Sequence, residues 1–135
     1  MTTTKPVPVP DDLSRPFWDG CARGELFLQE CTACGTLGRL PRVACPRCST
    51  SPLRWRRSSG RGEVHSFTVV RRPPSPAFAA DVPYVLALVE LDEGVRMMTN
   101  LLGVPVEEAR IGLPVEVAFE IRAGISLPMF RRRPT

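Results

Sequence analysis

The chain has 135 residues, of which 43% are hydrophobic and 24% are charged, a composition typical of a soluble globular protein. Its apolar runs are shorter than the about 18 residues that a membrane-spanning helix requires, which excludes a protein built on such helices. No apolar signal region follows the first residues, so we expect a cytoplasmic protein whose cysteines stay reduced. The formal charge of +4 allows nucleic-acid binding, but four thiolates around one Zn²⁺ would lower it to about +2.

Residues 1–10 are rich in Thr, Pro and Val, and we expect them to form an extended or disordered leader. The stretch SRPFWDGCARGE then predicts a short helix, with Ser14 as its N-cap, Pro16 in its first turn and Gly24 at its end. A helix this short is not stable alone in water, so one face must pack against the chain or against a partner.

Phe17, Trp18 and Cys21 share one face of this helix because they are spaced i, i+1 and i+4. Aromatic side chains dominate the energetics of many interfaces, and we predict that Phe17 and Trp18 contact a partner protein. Cys21 can be interpreted as a nucleophile or as a small buried apolar residue. Burial is favoured, since His65 is the only histidine in the chain and no catalytic triad accompanies it.

The segment ELFLQE alternates apolar and polar residues and predicts a strand that leads into two C-x2-C pairs. Ten residues separate the pairs, whose members are Cys31, Cys34, Cys45 and Cys48. A two-residue gap lets each pair form a tight turn, so that all four sulfurs converge on one ion at about 2.3 Å. Gly35 follows the first pair, where a residue without Cβ can turn beneath the metal.

Four cysteine ligands would close this site, because a tetrahedral ion then has no position left for water or substrate. The pattern therefore indicates a structural zinc ion rather than a catalytic one. A rubredoxin-like iron centre fits the same four-sulfur geometry, and a redox dithiol is the third alternative. With a metal bound, we expect the surrounding module to depend on it for folding.

Several strands separated by turns are predicted after Glu63: HSFTVVRR, both halves of YVLALVELDEGVRMMTNLLG, LPVEVAFEIR and ISLPMF. Five strands with one helical turn, at VPVEEARIG, fit a small OB-fold barrel. The predicted fold is mostly β, with a short N-terminal helix and a rubredoxin-like zinc ribbon followed by this barrel. We expect a leader and docking helix over 1–24, the ribbon over 25–58, and the barrel with a basic C-terminal tail, RRRPT, over 59–135.

A Pro-rich loop, RPPSPAFAADVP, separates the first two strands of the predicted barrel, and loops of this length are often functional. Arg71 and Arg72 lie at its start, and clustered arginines bind anions such as nucleic-acid or cofactor phosphates. Binding of single-stranded nucleic acid also requires aromatic stacking platforms, of which the barrel segment offers few. The carboxylates form no evident acid/base pair, so no catalytic residue is predicted.

The order of these parts resembles a known family. FWDG, ELFLQECTACG, CPRC, SGRGEVHSFTVV, PYVLALVELDEGVRMMTNLLG, RIGLPVEVAFE and LPMFR occur in sequence between about Asp11 and Arg131. The arrangement is similar to the acyl-CoA-associated OB-fold family with an N-terminal rubredoxin-like zinc ribbon, domain of unknown function family thirty-five. The resemblance carries the metal-ligand pattern onto the four cysteines of the two pairs, and it carries over no catalytic residue.

This resemblance implies a non-catalytic accessory subunit. Members of the family pair with thiolase-fold enzymes, including lipid-transfer-protein-like thiolases and aldolases that act on acyl-CoA, and they supply part of the CoA channel. We therefore expect such an enzyme as partner, in a heterotetramer that makes or breaks C–C bonds of acyl-CoA thioesters, with steroid side chains among the substrates. Within this chain, we expect Arg71, Arg72 and Tyr84 to contact the acyl-CoA.

Two functions of other classes remain as alternatives. A zinc ribbon joined to an OB barrel could bind single-stranded nucleic acid, which predicts oligonucleotide affinity with a steep dependence on salt. A standalone redox carrier with a rubredoxin-like iron centre predicts a red, iron-containing protein.

Overall fold

The structure, a computed structural model, describes residues 4–50 and 52–134. Its elements, in chain order, are α1 (Arg15–Ala22), β1 (Phe27–Cys31), β2 (Leu37–Gly38), β3 (Leu53–Arg57), β4 (Arg61–Val70), a 3-10 turn (Pro76–Phe78), β5 (Tyr84–Leu91), β6 (Arg96–Leu102), a 3-10 turn (Val106–Glu108), β7 (Pro114–Arg122) and β8 (Ile125–Arg132). Within the described ranges, every helix is too short or too polar to cross a membrane. The first three residues of the predicted leader and the last residue of the predicted tail lie outside the described residues.

Helix α1 begins at a reciprocal cap formed by Asp11 and Ser14. The Ser14 N–H donates to Asp11 Oδ1 at 2.7 Å, and the Asp11 N–H donates to Ser14 Oγ at 3.1 Å. Asp11 therefore takes the capping role predicted for Ser14, whose side chain makes no cap bond to the helix. At the other end Gly24 adopts φ +78°, and the Glu25 N–H reaches back to the Gly20 carbonyl at 2.8 Å, which terminates the helix as predicted.

Strands β1, β2 and β3 form a small antiparallel sheet with β1 in the centre. The carboxylate of Glu30, on β1, accepts hydrogen bonds from Arg54 Nε at 2.7 Å and from Arg56 Nη1 at 3.0 Å, both on β3. These bonds, that of Arg54 first, hold the pKa of Glu30 below its ordinary value. Two arginines of β3 thus share one carboxylate within the ribbon.

Strands β4 to β8 form a closed barrel in the order β4-β5-β6-β8-β7. Neighbouring strands are antiparallel except β6 and β8, which run parallel. This is the five-stranded arrangement of an OB fold, so the predicted class, a helix and ribbon followed by an OB barrel, is confirmed. Gly62 allows β4 to approach β5, since a Cβ at this position would lie 2.3 Å from the Glu90 carbonyl oxygen.

One apolar core joins the helix, the ribbon and the barrel. Its buried members are Phe17, Cys21, Leu26, Leu28, Val64, Val85, Ala87, Val89, Leu91, Met97, Leu101, Leu113, Val115 and Phe130. Helix α1 also packs against β8, the last strand of the barrel. The ribbon and the barrel therefore share buried surface, and the boundaries expected at 24/25 and 58/59 remain predictions.

The last strand runs further than the sequence predicts. Arg131 and Arg132, expected in a basic tail, belong to β8. Arg131 Nε donates to Glu116 Oε1 at 3.2 Å, and Arg132 Nη1 donates to Glu108 Oε1 at 3.4 Å, so ion pairs tie both side chains to the barrel. Ile121 is exposed, since it lies near the end of β7 beside the β7–β8 turn.

Candidate metal centre and ligand cavity

The first C-x2-C pair folds into a tight turn between β1 and β2. The Gly35 N–H donates to the Cys31 carbonyl at 2.9 Å, and the Cys31 N–H donates to the Thr36 carbonyl at 2.9 Å. Gly35 adopts φ +76°, a left-handed conformation that a residue without Cβ adopts easily. This agrees with the turn predicted at this glycine. The Cys34 N–H points at Cys31 Sγ from 3.4 Å.

The second pair repeats this backbone geometry. The Ser49 N–H donates to the Cys45 carbonyl at 2.9 Å, and the Cys45 N–H donates to the Thr50 carbonyl at 3.0 Å. The Arg47 N–H points at Cys45 Sγ from 3.4 Å. Ser49 occupies the position that glycine has in the first turn and adopts φ +62°, a conformation that costs a residue with a Cβ about 1 kcal/mol.

The two turns bring four sulfurs together. The Sγ atoms of Cys31, Cys34, Cys45 and Cys48 all lie within 4.8 Å of one another. Contacts of 3.6 Å join Cys31 to Cys48 and Cys34 to Cys45, that is, across the two pairs. Four sulfurs at about 2.3 Å from a tetrahedral zinc ion would be separated by about 3.8 Å, whereas a disulfide requires about 2.05 Å. The arrangement fits a structural zinc ion.

Two of these cysteines, Cys34 and Cys48, are exposed, and the other two are buried. The Thr36 hydroxyl lies 3.0 Å from Cys34 Sγ and lowers the pKa of this exposed thiol to about 6. A lowered pKa favours the thiolate, which is the form that binds metal. Because four cysteines occupy every position of a tetrahedral ion, the centre can organise the ribbon but leaves no coordination site for a substrate.

The loop between the two pairs is held by a buried glutamine that the cysteine pattern does not reveal. Gln29 Nε2 donates to the Arg42 carbonyl at 3.2 Å, and the Arg42 N–H donates to Gln29 Oε1 at 2.7 Å. Both ends of the Gln29 amide are thus satisfied by the backbone of one residue. The alternation in ELFLQE gives no signal for this role, because the burial of Gln29 is visible only in the structure.

Cys21 lies in the shared core, with an exposed fraction of 1%. Burial raises the pKa of its thiol to about 11, so the side chain is neutral and a poor nucleophile at neutral pH. The Arg39 guanidinium, from the ribbon, opposes this shift in part and lies 5.2 Å from the centre of the Phe17 ring. This environment supports the interpretation of Cys21 as a buried apolar residue.

The expectation for Phe17 needs correction. Its exposed fraction is 1%, because the ring packs into the core of its own chain, and it is not available as a partner anchor. Trp18 meets Phe17 edge to face at a ring-centre distance of 5.0 Å and stays half-buried. A partner contact at Trp18 remains a prediction.

Tyr84 lines a cavity of about 390 Å³ at one end of the barrel. The residues around the cavity are Lys5, Phe78, Ala80, Asp81, Tyr84, Asn100, Leu101, Leu102, Gly103, Glu120, Arg122 and Met129. Arg71 and Arg72 are not among these described lining residues. They are exposed at the same end of the barrel, since they follow Val70, which pairs with Tyr84 across β4 and β5.

Phe78, Lys5 and Arg122 meet at the rim of this cavity. Phe78, in the Pro-rich loop, lies between two cations, with Lys5 Nζ at 5.6 Å and Arg122 Cζ at 6.0 Å from its ring centre. Lys5 also forms an ion pair with Asp81, and Arg122 Nη1 donates to the Pro6 carbonyl at 3.4 Å. The N-terminal segment is therefore tied to the barrel, which no local sequence pattern indicates.

Two family descriptions match this chain. Residues 18–54 match the rubredoxin-like zinc ribbon domain of ChsH2, and residues 55–120 match the C-terminal OB-fold domain of ChsH2. Fold and metal centre together define a protein with a zinc ribbon joined to an OB barrel.

Relatives of known name match most of this chain. The chain is 34% identical to a DUF35 domain-containing scaffold protein of Methanothermobacter thermautotrophicus, over 72% of this chain and 73% of the relative. It is 40% identical to the 3-oxo-4,17-pregnadiene-20-carboxyl-CoA hydratase alpha subunit of Mycobacterium tuberculosis, over 84% of this chain and 40% of the relative. The chain thus spans about two fifths of the hydratase alpha subunits that it matches.

A solved structure gives a nearly complete match. A chain of the Ltp2-ChsH2(DUF35) aldolase is 35% identical, with a TM-score of 0.82 over 93% of this chain and 98% of that chain. The chain belongs to the DUF35 family, in the form that combines a ChsH2-type zinc ribbon with an OB fold.

Proposed function

We propose that this chain is a non-catalytic accessory subunit of a thiolase-fold enzyme that acts on acyl-CoA. The observation that carries the proposal is its match to 98% of the DUF35 chain of the Ltp2-ChsH2(DUF35) aldolase, at 35% identity. Relatives named as scaffold proteins and as alpha subunits support a role within an enzyme complex. His65 is exposed in a β-bulge of β4, an environment that does not favour a general base.

In this proposal the partner is a lipid-transfer-protein-like aldolase or thiolase in the cytoplasm, and the complex makes or breaks a C–C bond of an acyl-CoA. The aldolase of the matched complex supports the reaction class. The steroid acyl-CoA in the name of the Mycobacterium tuberculosis relative supports long apolar acyl groups, including steroid side chains. Two copies of this chain on an enzyme dimer would form the proposed heterotetramer.

Zinc has a structural role in this proposal. Cys31, Cys34, Cys45 and Cys48 hold the ion, and their closed four-sulfur geometry assigns it to the folding of the ribbon rather than to the reaction. The ion fixes the loops on either side of β2, which positions this surface of the ribbon for the partner.

The proposed acyl-CoA contact lies at the barrel end that holds Tyr84. Lys5 and Arg122 are engaged there by Asp81 and Glu120. Arg71 and Arg72 have no carboxylate partner among the described residues, so they are the free cations at this end and are suited to a pyrophosphate. Tyr84, with its aromatic ring and its hydroxyl, borders the cavity in which a less polar part of the ligand can lie.

Association is tested by co-expressing this chain with the Ltp2 subunit of the matched aldolase and analysing the purified product by size-exclusion chromatography. We expect a stable complex that contains both chains and cleaves an acyl-CoA substrate faster than Ltp2 alone. Failure of the two chains to associate, together with full activity of Ltp2 alone, would overturn the proposed function.

The ligand contact is tested in the assembled complex by titration with octanoyl-CoA. We expect the double variant Arg71→Ala/Arg72→Ala to weaken binding about tenfold, which corresponds to about 1.4 kcal/mol. The matched control is Arg61→Ala/Arg110→Ala, which removes two exposed arginines that lack carboxylate partners among the described residues. Equal affinities for the wild type and the Arg71/Arg72 variant would exclude this contact.

A further inference from the structure

A cleft of about 780 Å³ lies between the zinc ribbon and the β5–β6 hairpin. The ribbon contributes residues 37–40, Arg42 and Pro46, and the hairpin contributes residues 94–98. It is separate from the cavity at Tyr84, with which it shares no lining residue. Neither the metal centre nor the proposed CoA contact uses this surface.

Large apolar side chains project from both walls of the cleft. Leu40, on the ribbon wall, is 55% exposed, and Met98, on the hairpin wall, is 65% exposed. Exposed apolar side chains of this size that face one cleft are typical of protein–protein contact sites, and methionine adapts its shape to different partners.

The charge of the cleft has one sign. Arg39, Arg42 and Arg96 line it, and no Asp or Glu is among its described lining residues. Arg96 is engaged by Glu90, whereas Arg39 and Arg42 form no ion pair with a described carboxylate. In contrast, Arg54 and Arg56 on the same ribbon are both bound by Glu30. The Arg39 guanidinium packs on the Phe17 ring. Among the described lining residues, Arg42 is therefore the exposed cation that remains available for an external anion.

The walls of the cleft are held in place from within the chain. Gln29 binds the backbone of Arg42 through two hydrogen bonds, which fixes the ribbon wall. Glu93 binds the linker at Ser58 and Ser59, which fixes the hairpin relative to the ribbon. A preformed surface of this kind loses little conformational entropy when a partner binds.

We propose that this cleft docks a segment of the partner enzyme subunit that presents acidic side chains flanked by apolar ones. The inference rests on the proposed function and extends it by locating one contact between the two subunits. Leu40 and Met98 pack against the apolar side chains of the segment, and the Arg42 guanidinium binds one of its carboxylates.

The first experiment maps the contact by photo-crosslinking in the complex with Ltp2. The photoreactive amino acid p-benzoylphenylalanine replaces Leu40 or Met98, and it replaces the exposed Ile111 as a control outside the cleft. We expect crosslinks to Ltp2 from the two cleft positions, in a segment with acidic and apolar residues, and none from position 111. Crosslinks only to a second copy of this chain, or none from either cleft position, would overturn the proposal.

The second experiment measures affinity for Ltp2. We expect Leu40→Asp, Met98→Asp and Arg42→Glu each to weaken association at least about tenfold, because they remove apolar contact or reverse the charge. The matched controls Ile111→Asp and Arg110→Glu make the same changes outside the cleft and should stay within about twofold of the wild type. Zinc content and circular dichroism identify variants that fail to fold, and Met98→Asp tests the cleft from outside the ribbon.

These outcomes separate the two proposals. If the wild type binds Ltp2 and the cleft variants bind equally well, the cleft is not the contact while the accessory role stands. If the wild type does not bind Ltp2 and Ltp2 alone is fully active, the proposed function fails before the cleft is tested. If coenzyme A alone competes with Ltp2 for the cleft, the surface binds a nucleotide anion and the inference is wrong.

Discussion

The backbone N–H of Ser59 donates to the carboxylate of Glu93 at 2.7 Å. Ser59 lies in the short linker between β3 and β4, and Glu93 lies in the turn between β5 and β6. The same carboxylate accepts a hydrogen bond from the Ser58 hydroxyl at 2.9 Å. The Glu93 side chain, from the barrel, therefore fixes the orientation of the linker that connects the ribbon to the barrel.

Replacing this carboxylate should loosen the junction. We expect Glu93→Gln to lower the free energy of unfolding by about 1–2 kcal/mol, because the amide can accept from only one of the two donors with its oxygen. Urea denaturation measures the change. Glu107→Gln, at an exposed carboxylate without an ion-pair partner among the described residues, is the control and should change stability by less than about 0.5 kcal/mol. An equal effect of both substitutions would contradict the assigned role of Glu93.

Metal removal should unfold the ribbon. Trp18 and Trp55 are the only tryptophans, and they lie on α1 and β3, so their fluorescence reports on the N-terminal half of the chain. We expect a strong chelator to shift their emission to longer wavelength and to release one zinc ion per chain, because metal binding supplies much of the folding free energy of such modules. Elemental analysis should find less than one zinc ion per chain in Cys34→Ser. Cys21→Ala should retain the ion, and loss of zinc from both variants would refute the assignment of the ligands.

The two metal-binding turns differ at one position, which provides a test of backbone strain. Ser49 adopts φ +62°, and its counterpart Gly35 adopts φ +76°. We expect Ser49→Gly to raise the free energy of unfolding of the zinc-loaded protein by about 0.5–1 kcal/mol, and Gly35→Ser to lower it by about 1 kcal/mol. Thermal unfolding of the two variants should therefore move the midpoint in opposite directions. A lower midpoint for Ser49→Gly would mean that the serine side chain makes a contribution larger than the strain.

Burial of Cys21 should make stability fall at alkaline pH. The pKa of its thiol is raised from 9.0 to about 11, so the folded state favours the neutral form. This contribution is fully present below pH 9 and is lost as the pH rises towards 11, since the unfolded state releases the proton first. We expect the wild type to lose more stability than Cys21→Ala between these pH values. Parallel stability curves for the two proteins would show that Cys21 does not titrate as its burial requires.

The same burial predicts how the thiol reacts. In the zinc-loaded protein at pH 8, we expect a thiol reagent such as DTNB to modify Cys21 only after denaturant is added, because the side chain is 1% exposed. Rapid modification of one thiol in the native protein, with zinc retained, would contradict this placement.

The parts that could be predicted from the sequence are those in which local pattern and chemistry agree. The spacing of the four cysteines predicts two tight turns with converging sulfurs, since a C-x2-C pair has few ways to fold around one ion. Alternation in YVLALVEL predicts β5, and its buried positions follow the predicted period of two. The Asp-Glu-Gly stretch predicts the turn that joins β5 to β6.

Other features depend on residues far apart in the chain. Phe17 was expected at a partner surface, but the helix face that it shares with Cys21 packs into the chain's own core. The amphipathicity of a helix shows which face is apolar, but not whether that face packs against the same chain or against a partner. The local sequence predicts a basic tail at Arg131 and Arg132. Both residues instead belong to β8, because this strand pairs with β7, and Arg132 also bonds to Glu108.

The sequence by itself determined the modules of this protein, because cysteine spacing, strand period and turn residues act over a few neighbouring positions. Tertiary structure alone decided how the modules are joined, through Glu93 at the linker and Gln29 at the metal-binding loop. It also decided which arginines form ion pairs with carboxylates of the chain, since an ion pair depends on distances in space. Arg54 and Arg42 both belong to the ribbon, and the sequence does not show which of them forms an ion pair. In the structure, Glu30 binds Arg54, whereas Arg42 stays available at the cleft.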